Sequence, residues 1–351
     1  MITKIANLQQ KLKDGQGALI HSPENRFYLT GFPSSDGEVL ITKTRAVFFV
    51  DFRYYEKAKS VCRGTEVVLL SHSADQTAYF EPLSTVFVET ERVTVADFEE
   101  FKKRFGEKLS LSDWLDRTLR EMRAVKDEIE VAAVKEAQRM TDETFSYILP
   151  RLTAGRTERE VMLDMEFYLR RLGSEGVSFD FIVVSGKNSS LPHGVPTDKK
   201  IERGDFVTMD FGAVYRGYRS DMTRTVAVGC CSDEMSRVYQ TVLAAQEAAF
   251  ANIRPGAVCK EVDAAARTLI DKAGYAGRFG HGLGHAVGVE IHEYPMFNTR
   301  CEEGLKPGML MTVEPGIYLE NQFGVRVEDM VLITDEGYEN LTHSPKDLLI
   351  V

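Results

Sequence analysis

Five side chains in the second half of the chain, Asp210, Asp221, His285, Glu314 and Glu328, have the order and the chemistry of a site for two divalent metal ions. Four carboxylates bring four negative charges, which two divalent cations cancel. Without cations, acids converging in one cleft repel one another, and most must protonate or move apart. An imidazole among carboxylates suits Mn²⁺, Co²⁺, Fe²⁺ or Zn²⁺, and the oxygen-rich balance leans towards Mn²⁺.

Short strands must deliver these side chains. Alternation in Phe206-Val207-Thr208-Met209-Asp210 sets Phe206, Thr208 and Asp210 on one face. Gly212 and Gly217 let the chain turn, and Arg219, Asp221 and Thr223 share a face on the way back. Leu310, Thr312 and Glu314 face one way before Pro315-Gly316, and Arg326, Glu328 and Met330 do so further on. A single acid of this kind is ordinarily solvated or half of a salt bridge. Acids set in runs as apolar as Met309-Leu310-Met311-Thr312-Val313-Glu314 are different, because burying an unpaired charge is expensive.

Histidines add to the pattern. Four of the seven, His193, His281, His285 and His292, lie between positions 193 and 292, and Gly280-His281-Gly282-Leu283-Gly284-His285 lets the backbone approach a ligand closely. That glycine run lacks the preceding strand and the spaced acid of a dinucleotide loop. Ser185 and Ser189 lack a nucleophile elbow, and Cys230 and Cys231 lack metal-binding spacing, so they read as packed thiols.

A length of 351 residues, at roughly 150 per domain, predicts two domains. The first, 1–123, alternates β-type runs (39–42, 47–50) with helical stretches (54–61, 97–105, 111–123) and reads as α/β. Its opening segment, 1–20, carries Ile5, Leu8 and Leu12 at helical spacing and is expected as a surface helix. The second, 124–351, opens with a helix over 127–149, striped by Ile129, Ala133, Ala137, Met140, Thr144 and Ile148 and stopped by Pro150. A helix over 157–172 follows, with Thr157 and Glu160 placed as a capping box. Strands are expected over 179–184, 205–211, 223–228, 309–313 and 324–333, with helices over 233–252 and 259–273; no repeat is detectable.

Composition narrows the partners. A net charge of −10 argues against a nucleic-acid backbone or an anionic membrane, and no apolar run approaches the roughly 20 residues of a membrane span. Five cysteines without a CxxC pair suggest a reducing compartment, so a cytoplasmic location is expected.

Leu191-Pro192-His193-Gly194, Met209-Asp210-Phe211-Gly212, Ser220-Asp221-Met222-Thr223-Arg224-Thr225, His281-Gly282-Leu283-Gly284-His285, Val313-Glu314-Pro315-Gly316 and Val325-Arg326-Val327-Glu328-Asp329 together resemble the pita-bread metallopeptidases, in their aminopeptidase P and prolidase branch. The resemblance covers about residues 124–351, and Asn25-Arg26-Phe27-Tyr28-Leu29-Thr30-Gly31-Phe32 is similar to a creatinase-type N-terminal domain. It implies an α/β N-terminal domain followed by an α+β pita-bread catalytic domain, a curved and mainly antiparallel sheet covered by helices. It further implies that Asp210 binds one metal, Asp221 and Glu328 bridge both, and His285 with Glu314 complete the second. His193 and His292 match histidines that polarise the scissile carbonyl, Glu314 the general base, and His281 a histidine near the proline side of the substrate. Arg326 is expected to orient ligands or touch substrate, or else to form a structural ion pair.

The implied reaction is hydrolysis of the bond between an N-terminal residue and a following proline by a metal-bridging hydroxide, in a homodimer. Many prolidase-like members read Pro-Arg after His-Glu, whereas this chain reads His292-Glu293-Tyr294-Pro295-Met296, and Met296 cannot hold a substrate carboxylate. That departure, with His281, tilts the expectation to an Xaa-Pro aminopeptidase acting on longer peptides. An Xaa-Pro dipeptidase is the alternative, with Arg300 or a neighbouring subunit supplying the charge. A silent pita-bread binding protein ranks below both, having no need of a complete ligand set.

Overall fold

Among the described residues, eighteen short strands and ten α-helices are laid down in an order that separates an α/β part from a longer α+β part. The computed structural model describes residues 2–71 and 76–351. It divides into two compact units, Met1–Arg123 and Ala124–Val351. Met1, where the predicted opening helix starts, lies outside the described residues.

In the first unit the strands are β1 (Gln16–Ile20), β2 (Glu38–Thr42), β3 (Ala46–Val50), β4 (Glu66–Leu69), β5 (Thr85–Val88) and β6 (Leu109–Ser110), in one mixed sheet of order β4-β3-β2-β1-β5-β6. Helices α1 (Ile2–Lys11), α2 (Pro23–Thr30), α3 (Phe52–Val61), α4 (Thr77–Phe80), α5 (Val95–Phe105) and α6 (Trp114–Ala124) accompany it. Leu19, Leu40, Val47, Phe49, Val86 and Val88 meet Phe80, Phe101 and Phe105 in its core. The segment 1–20 is not one helix. The helix ends at Lys11, the chain turns at Gly15, whose φ of +77° suits glycine, and the apolar run after it enters the sheet as β1. Helix α1 keeps the predicted face, with Ile5, Leu8 and Leu12 buried.

The second unit runs α7 (Glu128–Ile148), α8 (Glu158–Arg171), β7 (Ile182–Ser185), β8 (Phe206–Phe211), β9 (Val214–Tyr215), β10 (Tyr218–Arg219) and β11 (Met222–Ala227). It continues as α9 (Asp233–Phe250), α10 (Cys259–Ile270), β12 (Gly284–Ala286), β13 (Glu293–Phe297), β14 (Leu310–Val313), β15 (Gly316–Leu319), β16 (Phe323–Arg326), β17 (Asp329–Ile333) and β18 (Tyr338–Asn340). The element order therefore repeats: a helix pair, then antiparallel strands interrupted by a hairpin. Each repeat has its own core. Met140, Phe145, Met165, Val183, Met209 and Val226 belong to the first, and Val238, Val242, Val262, Phe297, Met311 and Val331 to the second.

Capping explains where the helices begin. Asp127 and Thr157 each accept from the backbone three residues on, while Glu130 and Glu160 reach back to them. On α7 the predicted stripe is buried from Ala133 onwards, but Ile129 is 74% exposed, and in the first turn it is Glu130, 4% exposed, that faces inward. The predicted strand 324–333 is two strands, β16 and β17, in different sheets. Val327 and Glu328 make the transfer, and the Glu328 N–H donates to Thr223 O at 3.0 Å.

Candidate metal centre

Strand β8 carries Asp210 opposite Thr223 of β11, in antiparallel register. The hairpin β9–β10 returns the chain so that Asp221, just before β11, comes up beside it. At Gly212 a Cβ would run into the Ser220 carbonyl, so only glycine permits the two aspartates to approach in this way. In the second repeat β12 carries His285, Glu314 follows β14, and Glu328 lies between β16 and β17. Gly284 has the same task there, because a Cβ would meet the Thr312 carbonyl.

Asp221, His285 and Glu328 each offer a ligand atom within 4.8 Å of the others. Glu314 joins them, its Oε1 3.4 Å from His285 Nε2, and Asp221 Oδ2 lies 3.6 Å from the same nitrogen. Asp210 is tied in by Arg326, whose Nη2 donates to Asp210 Oδ2 at 2.6 Å. Threonines fix the acids: Thr223 Oγ1 donates to Glu328 Oε2 at 2.7 Å and Thr312 Oγ1 to Glu314 Oε1 at 3.2 Å.

Electrostatics makes this cluster costly for the bare chain. Burial, then the charges of Glu328, Asp210 and Glu314, holds the Asp221 carboxyl well above the usual carboxylate range. Glu328 is raised in the same direction by burial and by Glu314 and Asp210, and burial pushes Glu314 up to about 8. Three buried carboxylate oxygens, Asp210 Oδ1, Asp221 Oδ1 and Glu328 Oε1, have no hydrogen-bond donor. Buried polar atoms are nearly always satisfied, so three orphans on three converging acids fit a divalent cation. His285 completes the donor set. Burial first, then His292, lowers its pKa to about 3, and with Nδ1 donating to Ala286 O at 3.1 Å its Nε2 presents a lone pair.

All nine side chains singled out from the sequence line one cavity of about 880 Å³. His292 sits on the turn before β13, its ring edge-on to His285 at 4.4 Å between centroids. Glu293, beside it, forms a buried ion pair with Lys126 at 3.2 Å. His193 stands on the loop after β7. His281 ends a chain of donors: Arg326 Nη1 donates to Tyr318 Oη at 2.8 Å, Tyr318 Oη lies 2.9 Å from His281 Nε2, and His281 Nδ1 is 2.8 Å from Gly282 O. Burial, with Arg326 next, lowers the His281 pKa to about 4, so the ring is neutral and the chain runs in that direction.

Sequence reasoning set Thr223 on the face of Asp221 and Thr312 on the face of Glu314 without giving either a role, and it passed over Tyr318. Alternation with Asp221 and Glu314 was the signal for the two threonines, and nothing of that kind pointed to Tyr318.

The chain belongs to metallopeptidase family M24, whose model matches residues 132–335, and residues 4–125 match the creatinase/prolidase N-terminal domain. The protein is accordingly a metallopeptidase with the pita-bread fold, and the family implies divalent metal ions. Among individual relatives, the Xaa-Pro dipeptidase of Pyrococcus horikoshii is 37% identical over 332 residues, covering 94% of this chain and 93% of that one. The solved Xaa-Pro dipeptidase from Bacillus anthracis superposes with a TM-score of 0.94 at 38% identity, over 100% of this chain and 99% of that one. The X-Pro aminopeptidase of Thermotoga maritima gives a TM-score of 0.90 at 36% identity, over 98% and 99% of the two chains.

Proposed function

We propose that this metallopeptidase is an Xaa-Pro dipeptidase using two divalent ions, Mn²⁺ foremost, held by Asp210, Asp221, His285, Glu314 and Glu328. The observation that carries the substrate class is Arg300. It lines the same cavity as Met296 and the carboxylate cluster, and among the described residues no ion pair occupies its guanidinium. A cation in that position suits the free carboxylate of a dipeptide's proline, which Met296 cannot hold. Arg159, also on the cavity wall, is paired with Asp198 at 2.9 Å. The Met296 departure, which favours an aminopeptidase when read alone, is thereby offset, and two of the similar proteins carry the name Xaa-Pro dipeptidase.

Bound divalent ions would polarise the peptide carbonyl and bring the pKa of water to near neutrality. Glu314 takes the proton of the attacking water at a carboxylate oxygen and delivers it to the departing proline nitrogen. His193 and His292 donate to the carbonyl oxygen as it gains charge, a contribution of about 2.7–4 kcal/mol per donor in comparable sites. Arg326 holds Asp210 in place and, through Tyr318, orients His281 towards the substrate. The first unit and a homodimeric assembly belong to this proposal as features of the family resemblance.

The test compares steady-state rates on Ala-Pro and Ala-Pro-Ala with added Mn²⁺. A dipeptidase cleaves the first and spares the second, and Arg300→Met raises KM for Ala-Pro by roughly tenfold or more, as loss of a charge-assisted contact should. Preferred cleavage of the tripeptide, with Arg300→Met neutral, returns the reading to an aminopeptidase.

A further inference from the structure

We propose that Glu158 is a positioning residue for His193: one buried carboxylate fastens both ends of the loop that carries this histidine along the cavity. The inference rests on the reading of His193 as a donor to the substrate carbonyl.

Glu158 is the first residue of α8, and the helix does not need it there. Thr157 and Glu160 already form the capping box, so an acid at this position would ordinarily face solvent. Instead its relative exposure is 0%. Burying a carboxylate is expensive unless donors surround it, and here they come from two separate stretches of chain. Oε1 accepts from Ser185 N at 2.7 Å, Ser185 Oγ at 2.9 Å and Asn188 Nδ2 at 3.1 Å. Oε2 accepts from Thr197 N at 3.0 Å and Thr197 Oγ1 at 2.6 Å. Oε1 therefore serves the start of the loop and Oε2 its end, with Asn188 Nδ2 reaching both, at 3.1 and 3.3 Å.

Between residues 190 and 197, apolar burial is confined to Gly194 and Pro196. Leu191 is 57% exposed and Val195 75% exposed, and His193 itself is exposed. The inner restraints are polar: Arg326 Nη1 donates to Pro192 O at 3.1 Å and Gly324 N to Ser189 Oγ at 2.9 Å. Lys199 reinforces the seam by donating to Ser185 Oγ at 3.0 Å and to Asp205 at 2.6 Å. With its ends fixed at one carboxylate, the loop has few ways to close, which limits where its backbone can carry the imidazole. A displacement of about 1 Å at a reacting centre can lower a rate by roughly a hundredfold.

Two measurements test this. In metal-free protein, amide hydrogen exchange should speed up by about tenfold or more across residues 186–197 in Glu158→Gln, with the rest of α8 still protected, because the new amide group turns a donor towards backbone donors. Thr197→Val, which removes the 2.6 Å bond and the bonds that Thr197 Oγ1 accepts from Lys199 N at 3.1 Å and Asn188 Nδ2 at 3.5 Å but leaves Thr197 N on Glu158, should show a smaller change of the same kind, and it keeps the test open if Glu158→Gln does not fold. In metal-loaded protein, Glu158→Gln should lower kcat by about ten- to a hundredfold with KM within about threefold, and should lower it no further once His193→Ala is present. Equal losses in both backgrounds, or unchanged exchange in the loop, overturn the positioning role. If His193→Ala alone leaves kcat untouched, the role read for His193 fails, and the exchange result separately decides whether Glu158 holds the loop.

Discussion

Tyr318 Oη stands between two groups that need it, accepting from Arg326 and reaching His281. Tyr318→Phe would leave the buried guanidinium short of an acceptor and deprive His281 Nε2 of its bond while Nδ1 keeps Gly282 O, at a cost of about 1–3 kcal/mol in stability. The expected result is a drop in kcat/KM of roughly tenfold with unchanged metal content, read by steady-state kinetics and elemental analysis. Wild-type kinetics in this variant would show that the chain from Arg326 to His281 is idle. The same residue marks the limit of what was legible at this scale. Acids and histidines announce themselves by type, whereas Tyr318, Thr223 and Glu158 matter through partners far away in sequence.

Strands read from alternation, such as β8, β11 and β14, were legible because one apolar face and one charged end declare both the element and its direction. Strands β12 and β13 were not, since Gly284-His285-Ala286 and Glu293-Tyr294-Pro295-Met296-Phe297 lack a run of β-branched residues; close backbone approach, not propensity, forms them. The run 324–333 misled for the opposite reason, being apolar enough to look continuous while it changes sheets at Val327 and Glu328. At the head of β13 the pair Lys126–Glu293, with side chains 1% and 3% exposed, anchors the turn that presents His292. Lys126→Met, which takes the cation from the buried Glu293 carboxylate while Glu290 N still donates to it at 3.1 Å, should destabilise the protein by about 3–5 kcal/mol in chemical denaturation. A change below 1 kcal/mol, on the order of a surface pair, would contradict that burial.

Over the whole molecule, sequence comparison of the chain with itself revealed no repeat, although the element order holds one. Two helix pairs with antiparallel strands require only matching apolar patterns, each closing its own core, and not matching residues. The first repeat supplies Asp210 and Asp221, the second His285, Glu314 and Glu328, so the candidate centre exists only where both are folded. This couples stability to pH in a definite direction. In metal-free protein Glu314 is raised from 4.5 to about 8, so the folded form holds its proton longer than the unfolded form, and stability falls as pH rises towards 8. His285 and His281 are lowered from 6.5 to about 3 and about 4, and oppose that slope only below pH 6.5. Chelated protein should therefore lose thermal stability from pH 6.5 to 8, and Mn²⁺ should flatten or reverse the trend by replacing protons with cations. A chelated protein that gains stability over this interval would mean that the carboxylates do not share one buried site.

The most direct measurement is metal content and Ala-Pro hydrolysis, taken together, for the wild type and Asp221→Ala. The two-ion reading predicts about two metal equivalents per chain in the wild type and loss of both ions and of hydrolysis in the variant, since Asp221 stands with His285 and Glu328 at the centre of the residues that would hold them. Full metal content with retained hydrolysis in Asp221→Ala would contradict it.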